Sequence, residues 1–282
     1  MSHRNAIRNR TQPSWPVNLF SVRTWRAAVI GRARHPGRGF TQGLIEQDGT
    51  VWESTGLYGG SALCRYRLGD ERAERSAALP ADLFGEGICR AGDAIWQLTW
   101  RERVALRWDP RTLELAGQVR YNREGWGICA VGGSVVTSDG TSELVWRDPQ
   151  TLAPQQVIHV RCAGHRVLGL NDLAWVPSSS PGGTIWANVA GTHYLAGIDP
   201  ASGEVTDIVN ARPAAERHPD PQAIMNGIAA LPAVSGAAGF SGFSGSGEFL
   251  LTGKGWQWIR RVRLKPSREG AAQRGLLAGF SH

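Results

Sequence analysis

The sequence predicts an all-β fold, a five-bladed β-propeller that is closed by an N-terminal strand. Three observations support this prediction: a motif that recurs at a blade-like period, four short strand-like segments within a period, and an N-terminal segment that can complete the last period. No helical pattern of about 10 to 15 residues separates these segments, which argues against a doubly wound α/β fold.

A doublet of small or polar residues followed by an aliphatic residue marks the start of each period. The five copies are Gln42-Gly43-Leu44, Glu86-Gly87-Ile88, Trp126-Gly127-Ile128, Asn171-Asp172-Leu173 and Asn226-Gly227-Ile228. Their middle residues are separated by 44, 40, 45 and 55 positions. A four-stranded propeller blade takes roughly 40 to 50 residues. Each copy is therefore interpreted as the start of a blade's first strand.

The second period illustrates the four strands that are expected in a blade. It contains the segments GICRAG, DAIWQLTWR, RVALRWDP and LAGQVRYN, which have strand-like composition and are divided by turn residues. In three periods the third segment ends in Asp-Pro, at Asp109-Pro110, Asp148-Pro149 and Asp199-Pro200. Because Asp and Pro both favour turns, these copies predict the same turn in three blades.

The last period supplies only three strands and ends at the RRVRL segment of residues 260–264. A ring must close without a free edge, and the segment TWRAAVIGRARH of residues 24–35 is the available fourth strand. We therefore predict that residues 26–35 pair with residues 259–264 and close the ring across the two ends of the chain.

The repeated region is interpreted as one domain. It extends over residues 25–266, with an N-terminal extension of residues 1–24 and a C-terminal tail of residues 267–282 that are expected to be poorly ordered. The segment SSSPGG at 178–183 and the Gly- and Ser-rich segment at 235–247 both follow the first strand of their period. They are therefore interpreted as loop insertions within blades and not as linkers between domains.

Composition restricts the classes of partner. The net charge of +7 and the isoelectric point near 9.8 are compatible with nucleic-acid binding, but the arginines are scattered along the chain, so no nucleic-acid partner is expected. No apolar run reaches about 18 residues, so no membrane-spanning helix is expected. The N-terminus lacks the apolar core of a secretory signal, and we expect a cytoplasmic location. A monomer is expected.

The cysteines and histidines give no indication of a metal site. Cys64, Cys89, Cys129 and Cys162 lie far apart and beside apolar runs, with no Cys-X-X-Cys pair. They are interpreted as buried free thiols. The histidines show no metal-ligand spacing, and no phosphate-binding or dinucleotide-binding motif occurs. We therefore expect no metal and no cofactor.

Polar and aromatic residues begin the predicted first strands. In a propeller these strands line the central channel, so the residues that begin them converge at one end of it, here called the mouth. They are Gln42, Glu86, Trp126, Asn171, Asp172 and Asn226. The second strands are expected to end near Tyr58, Trp100, Asp139 and Lys254. The mouth is therefore the predicted functional site.

Ten ordered segments resemble the plant and bacterial glutamine cyclotransferases. They are FTQGL (40–44), STGLYGGS (54–61), FGEGI (84–88), QLTW (97–100), EGWG (124–127), SDGT (138–141), LNDLAW (170–175), WANV (186–189), NGIA (226–229) and TGKGW (252–256). The resemblance spans roughly residues 26–264. Two positions depart from the family pattern: Asp172 stands where the family usually has Glu, and Ala190 stands where it usually has Trp.

The resemblance implies a five-bladed propeller with glutaminyl-peptide cyclotransferase activity and no obligatory metal. Such an enzyme converts the N-terminal glutamine of peptides or proteins to pyroglutamate and releases ammonia. The family's active-site positions correspond to Phe40, Gln42, Glu86, Trp100, Trp126, Asn171 and Lys254. Glu86 and Lys254 are expected to be catalytic, and the other five residues are expected to bind the substrate.

Cyclisation requires a group that accepts a proton from the attacking amine and returns it to the departing ammonia. Glu86 is the only carboxylate that begins a first strand with aromatic residues around it, and desolvation by these residues would raise its pKa. Lys254 is one of two lysines in a chain with 29 arginines, which favours a compact ammonium that orients the amide oxygen. Gln42 and Asn171 could either hold the substrate or bond neighbouring strands.

Two other functions stay open from the sequence. Glu86, Asn171, Asp172 and Asn226 could together bind a divalent cation through oxygen ligands, as in propeller lactonases, and would then support metal-dependent hydrolysis. A propeller that binds peptides without catalysis is the second alternative, because a fold alone does not determine a function. Ala190 favours this second alternative, since it removes an aromatic wall from the mouth.

Overall fold

The chain folds as an all-β structure, in agreement with the predicted class. The computed structural model describes residues 22–177, 182–232 and 247–267. Within these ranges the chain forms 22 strands and two short 3-10 turns, Pro36–Arg38 and Arg212–Ala214, without an α-helix. None of the described elements is a helix long and apolar enough to cross a bilayer.

Several expectations fall outside the described residues. The predicted disorder of the N-terminal extension and of the C-terminal tail concerns residues that almost all precede position 22 or follow position 267. Most of the two predicted loop insertions lies at 178–181 and 233–246, which are also outside the described residues. Both positions do follow the first strand of their period, as the sequence indicated.

The chain begins with the long strand β1 (Arg23–Arg34) and continues into three sheets of four consecutive antiparallel strands. The first sheet contains β2 (Thr41–Gln47), β3 (Thr50–Thr55), β4 (Ala62–Arg67) and β5 (Arg75–Ala78). The second contains β6 (Gly85–Ala91), β7 (Ala94–Thr99), β8 (Val104–Trp108) and β9 (Leu115–Arg120). The third contains β10 (Gly127–Val131), β11 (Ser134–Ser138), β12 (Glu143–Arg147) and β13 (Pro154–His159). The predicted pattern of four strands is confirmed for these periods.

A single sheet of eight strands contains the last two periods. Its first half is β16 (Leu170–Val176), β17 (Thr184–Val189), β18 (Tyr194–Ile198) and β19 (Val205–Asn210). Its second half is β1, β22 (Trp258–Pro266), β21 (Glu248–Gly253) and β20 (Met225–Ala230), in that spatial order. A small hairpin of β14 (Arg161–Cys162) and β15 (His165–Arg166) precedes this sheet and was not predicted.

The strand β1 joins the two halves of the eight-stranded sheet. Residues from Arg26 to Arg34 pair antiparallel with residues from Lys265 to Trp258, which confirms the predicted pairing. The first residues of β1, Arg23 to Arg26, also pair in parallel with Asp207 to Asn210 of β19, which the sequence did not predict. Nε and Nη2 of Arg23 donate to the Asp207 carboxylate at 2.8 and 2.7 Å. At Trp25 and Arg26 the strand therefore pairs on both sides.

The first strands of the five periods pack against one another in a closed ring. β2 contacts β6 and β20, β10 contacts β6 and β16, and β16 contacts β20. A Cβ atom on Gly43 would lie 2.6 Å from the Ile88 nitrogen, and one on Gly87 would lie 2.7 Å from the Gly127 Cα. A Cβ atom on Gly127 would overlap the carbonyl oxygen of Asn171. The glycine of the repeated motif is therefore required by the close approach of neighbouring strands.

The Asp-Pro turns form as the sequence predicts. The carboxylates of Asp109, Asp148 and Asp199 each accept hydrogen bonds from the backbone N–H groups two and three residues ahead. The same turn therefore follows the third strand of three periods. A local carboxylate-to-amide bond of this type replaces a backbone turn bond and fixes the direction of the chain.

Several tryptophans pack into the core between the sheets. Trp52, Trp96 and Trp108 are buried, whereas Trp146 and Trp175 are partly buried against the core. Trp186 is fully buried and its ring lies 5.4 Å from that of Phe249, which places it in the core. The cysteines are free, as predicted; Cys89, Cys129 and Cys162 are buried and Cys64 is half-buried.

A buried polar network links the end of β1 to the first sheet. His35 follows β1 directly; its Nδ1 lies 2.8 Å from the Trp256 carbonyl oxygen, and its Nε2 lies 2.8 Å from Oε1 of Glu53. The hydroxyls of Thr41 and Tyr66 donate to the same carboxylate at 2.7 and 3.0 Å. Burial would lower the pKa of His35, but the Glu53 carboxylate outweighs it and the pKa is raised. Both ring nitrogens face acceptors, so the imidazolium form satisfies them both.

We expect ring closure by β1 to be essential for folding. Removal of residues 1–35 should abolish the cooperative thermal unfolding transition measured by circular dichroism, because β22 and β19 would both lose their partner strand. Removal of residues 1–20 is the matched control and should leave the transition in place, since it spares β1. Equal melting of the two truncated proteins would contradict this arrangement.

The His35–Glu53 pair should make stability depend on pH. Because the pKa of His35 is raised in the folded protein, the pair's contribution is complete below the unfolded-state value of about 6.5 and is lost as pH rises through the folded-state value. The free energy of unfolding, measured for wild type and His35→Gln from acid to alkaline pH, should show a difference that shrinks with rising pH. A difference that stays constant over this range would show that His35 is neutral when folded.

Candidate active site

Glu86 lies on the inner strand β6, two residues after Phe84, and only 6% of its surface is exposed. Desolvation by burial raises the pKa of this carboxyl well above its usual value. Lys254 acts in the opposite direction, whereas the negative charges of Glu124, Glu102 and Asp172 raise the pKa further. Glu86 is thus a carboxyl with a high proton affinity, which suits it to accept and return a proton.

Lys254 directly follows the inner-facing end of β21 and is half-buried. Its Nζ atom lies 4.7 Å from the centre of the Phe40 ring, a cation–π contact. Burial lowers the pKa of Lys254, and the charge of Glu86 opposes this effect. The segment that contains Lys254 is joined to the segment that contains Phe40 by a backbone hydrogen bond, in which Gly255 N–H donates to the Gly39 carbonyl oxygen at 2.9 Å. The two predicted catalytic residues therefore interact through their charges, and each changes the pKa of the other.

Phe84 is at the centre of an aromatic cluster beside Glu86. Its ring lies 6.4 Å from Phe40, 5.4 Å from Tyr58 and 5.5 Å from Trp100. Gly56 allows this packing, because a Cβ atom there would overlap the Phe84 ring and lie 2.9 Å from Nε2 of Gln42. Phe40, Tyr58 and Trp100, which come from three separate segments, therefore surround one ring.

Two acidic residues that the sequence analysis did not single out support this aromatic wall. Oε2 of Glu124 accepts the indole N–H of Trp100 at 3.0 Å and that of Trp126 at 3.3 Å. Glu102 accepts the hydroxyl of Tyr58 at 2.7 Å and the backbone N–H of Phe84 at 3.3 Å. Glu124 does begin the EGWG segment used for the resemblance, which is the one signal that could have drawn attention to it.

The polar residues of the inner strands differ in how they are used. Nδ2 of Asn226 donates to Oε1 of Gln42 at 2.8 Å, which leaves the N–H groups of Gln42 to face Gly56 and the site. Asn171 is buried, and within the described residues its Oδ1 has no hydrogen-bond donor. Its backbone carbonyl accepts the Ser138 hydroxyl at 2.8 Å. The hydrogen bond from Asn226 therefore orients Gln42, whereas Oδ1 of Asn171 has no donor among the described residues.

Asp172, the first departure from the family pattern, is fully buried at the ring of inner strands. Its Oδ2 accepts the Ile228 N–H at 2.9 Å and so links β16 to β20. Burial raises the pKa of Asp172 well above its usual value, although the amides of Ile228, Leu173 and Leu44 lower it. Among the described residues, no group of three or more His, Cys, Asp or Glu side chains could hold a metal ion.

Ala190, the second departure, lies close to the support of Trp126. Gly140 has φ +77°, and a Cβ atom on it would lie 2.7 Å from the Trp126 indole. Gly169 N–H donates to the Gly140 carbonyl oxygen at 2.8 Å, and Ala190 N–H donates to the Gly169 carbonyl oxygen at 2.8 Å. A larger side chain at position 190 would therefore lie next to Gly169, which is hydrogen-bonded to the residue that packs against Trp126.

Comparisons with known proteins identify the family of this chain. The family model described as glutamine cyclotransferase matches residues 5–264. A glutaminyl-peptide cyclotransferase from Arabidopsis thaliana is 32% identical over 179 residues, which is 63% of this chain and 54% of the relative's length. The crystal structure of Myxococcus xanthus glutaminyl cyclase has a TM-score of 0.75 and 30% identity, covering 87% of this chain and 99% of that chain. This chain thus spans about half of the curated relative that it matches.

The packing at Gly56 can be tested without reference to any activity. Gly56→Ala should displace Phe84 or Gln42 and destabilise the protein by about 1 to 3 kcal/mol, as overpacked sites do, with a change in the near-ultraviolet circular dichroism of the aromatic cluster. Gly60→Ala, in the same loop, is the control, since its Cβ atom would meet nothing closer than Leu57 Cβ at 3.7 Å. Similar spectra and melting temperatures for the two variants would contradict the packing described here.

Proposed function

Because the chain belongs to the glutamine cyclotransferase family, we propose that it converts the N-terminal glutamine of peptides or proteins to pyroglutamate and releases ammonia. The observation that carries this proposal is Glu86, a buried carboxyl with a raised pKa beside Lys254 and an aromatic wall. The names of the Arabidopsis and Myxococcus relatives support the same reaction.

We further propose that residues 25–266 form a single five-bladed β-propeller. Three sheets hold one period each, and the eight-stranded sheet holds two blades that share β1. The closed ring of contacts among β2, β6, β10, β16 and β20 supports a central axis lined by first strands. In this fold the aromatic cluster and Glu86 lie at one mouth of the channel.

The proposed reaction proceeds by attack of the substrate's α-amine on its own side-chain amide carbon. A nitrogen–carbon bond forms, and the amine gives up a proton to the carboxylate of Glu86. The carbon–nitrogen bond of the amide then breaks, and Glu86 returns the proton to the departing nitrogen, which leaves as ammonia. The raised pKa of Glu86 makes its carboxylate a stronger base for the first transfer.

The other site residues hold the substrate and stabilise the developing negative charge. The ammonium of Lys254 is held beside Phe40 and would stabilise the oxyanion that forms on the amide oxygen. Gln42, oriented by Asn226, offers N–H groups, and Asn171 offers a carbonyl oxygen with no donor among the described residues. Trp100, Trp126 and Phe84 would exclude water from the site. Their rings would also hold the substrate so that its amine and amide are in the attack geometry.

Turnover should depend on Glu86 and not on a metal. With a glutaminyl peptide as substrate, Glu86→Gln should lower the rate of ammonia release by about 10² to 10⁴ with the fold intact, because it removes proton transfer but keeps the shape. Glu114→Gln, which removes an exposed carboxylate, should have no effect, and a chelator should not change the wild-type rate.

Each alternative function has its own outcome in this assay. Peptide binding without ammonia release by the wild-type protein would indicate a binding protein and refute the proposed activity. Hydrolysis that a chelator abolishes, and that added divalent cations restore, would indicate a metal-dependent hydrolase. Near-normal turnover by Glu86→Gln would show that another group transfers the proton.

A further inference from the structure

Glu124 contacts both indoles of the candidate site. It lies in the segment between β9 and β10, three residues before Gly127, where the inner strand β10 begins. A single carboxylate oxygen, Oε2, accepts the N–H of Trp100 at 3.0 Å and the N–H of Trp126 at 3.3 Å. Because an indole has one N–H donor, each ring has its in-plane direction set by this oxygen.

From this geometry we propose that Glu124 is a positioning residue, which fixes Trp100 and Trp126 around Glu86 and places a second negative charge beside it. The proposal rests on the proposed cyclisation for its kinetic consequences. Its structural part, the hold on the two indoles, can be tested in the absence of any turnover.

The backbone around Glu124 is anchored on both sides of the site. Gly125 N–H donates to the carbonyl oxygens of Thr99 and Trp100 at 3.1 and 3.0 Å, and the Trp126 carbonyl oxygen accepts the Gly87 N–H at 2.9 Å. A Cβ atom on Gly125 would lie 2.6 Å from Leu98 Cβ. The segment therefore packs against β7 and is hydrogen-bonded to Gly87, so its backbone has little freedom.

Trp100 is restrained on its face as well as at its edge. The Arg101 guanidinium carbon lies 3.9 Å from the centre of the Trp100 ring, and Nε of Arg101 lies 3.7 Å from Oε1 of Glu124. On its other side the ring contacts Phe84 at 5.5 Å. Edge, face and packing contacts together leave one orientation for this indole, and Glu124 takes part in two of the three.

The charge of Glu124 also acts on Glu86. Four charged groups affect the Glu86 carboxyl: Lys254 lowers its pKa, and Glu124, Glu102 and Asp172 raise it. Glu124 raises it more than Glu102 or Asp172 does. Replacing this carboxylate by a neutral amide should therefore lower the pKa of Glu86. The acid limb of the pH–rate profile, which reports the ionisation of Glu86, should then move to lower pH.

Two substitutions separate the two roles. Glu124→Gln keeps a carbonyl oxygen that can accept the indole N–H groups but removes the charge, whereas Glu124→Ala removes both. We expect Glu124→Gln to shift the acid limb to lower pH with KM nearly unchanged. Glu124→Ala should show the same shift and, because the indoles lose their partner, a fall in kcat/KM on the order of 10²-fold.

The control variant is Glu102→Gln, because Glu102 also raises the pKa of Glu86 but contacts Tyr58 and Phe84 instead of the indoles. In ¹⁵N-labelled protein, Glu124→Ala should move the indole N–H resonances of Trp100 and Trp126 upfield, and Glu102→Gln should leave them in place. A ¹³C titration of the Glu86 carboxyl should give a lower pKa in Glu124→Gln than in wild type.

The outcomes distinguish this proposal from the proposed function. Unchanged indole resonances in Glu124→Ala, or an unchanged Glu86 titration in Glu124→Gln, would overturn the corresponding role of Glu124. If the wild-type protein releases no ammonia but both resonance measurements respond as expected, the proposed activity fails while the positioning role of Glu124 holds.

Discussion

The rest of the structure depends on the close backbone approach of the five inner strands. At Gly43, Gly87 and Gly127 any side chain would meet the backbone of the neighbouring strand, which fixes the depth of each first strand relative to the next. The residues immediately before these glycines are then held at one level, so that Gln42 and Glu86 come from separate sheets to one site. The high proton affinity of Glu86 follows from this packing, because a carboxyl on a fixed inner strand cannot turn towards water.

Closure of the ring depends on polar contacts as much as on strand pairing. β1 supplies an antiparallel partner to β22 and a parallel partner to β19, and the charged pair of Arg23 and Asp207 lies at the parallel end. At the other end the buried carboxylate of Glu53 accepts bonds from His35, Thr41 and Tyr66. Each end of the strand is thus specified by directional bonds, which fix its register more strictly than apolar packing alone.

The sequence predicted the features that the ring of inner strands imposes on every period. Glycine at the repeated motif, the Asp-Pro turns and the pairing of β1 with β22 all leave a recurring or complementary signal. The support of the site leaves no such signal. Glu124 and its partner Trp100 are 24 positions apart, and nothing periodic relates an acidic loop residue to an indole N–H. The parallel contact of β1 with β19 was missed because strand closure requires only one partner.

The position of β1 in the chain has a consequence for the order in which the molecule can assemble. The strands from β2 to β13 pair with their immediate neighbours along the chain and can form hairpins while synthesis continues. β1 is made before all of them, yet Arg23 must wait for Asp207, 184 residues later. Until then β1 lacks both of its partner strands, so a ribosome-bound chain halted before β19 leaves this long strand open to edge-to-edge association.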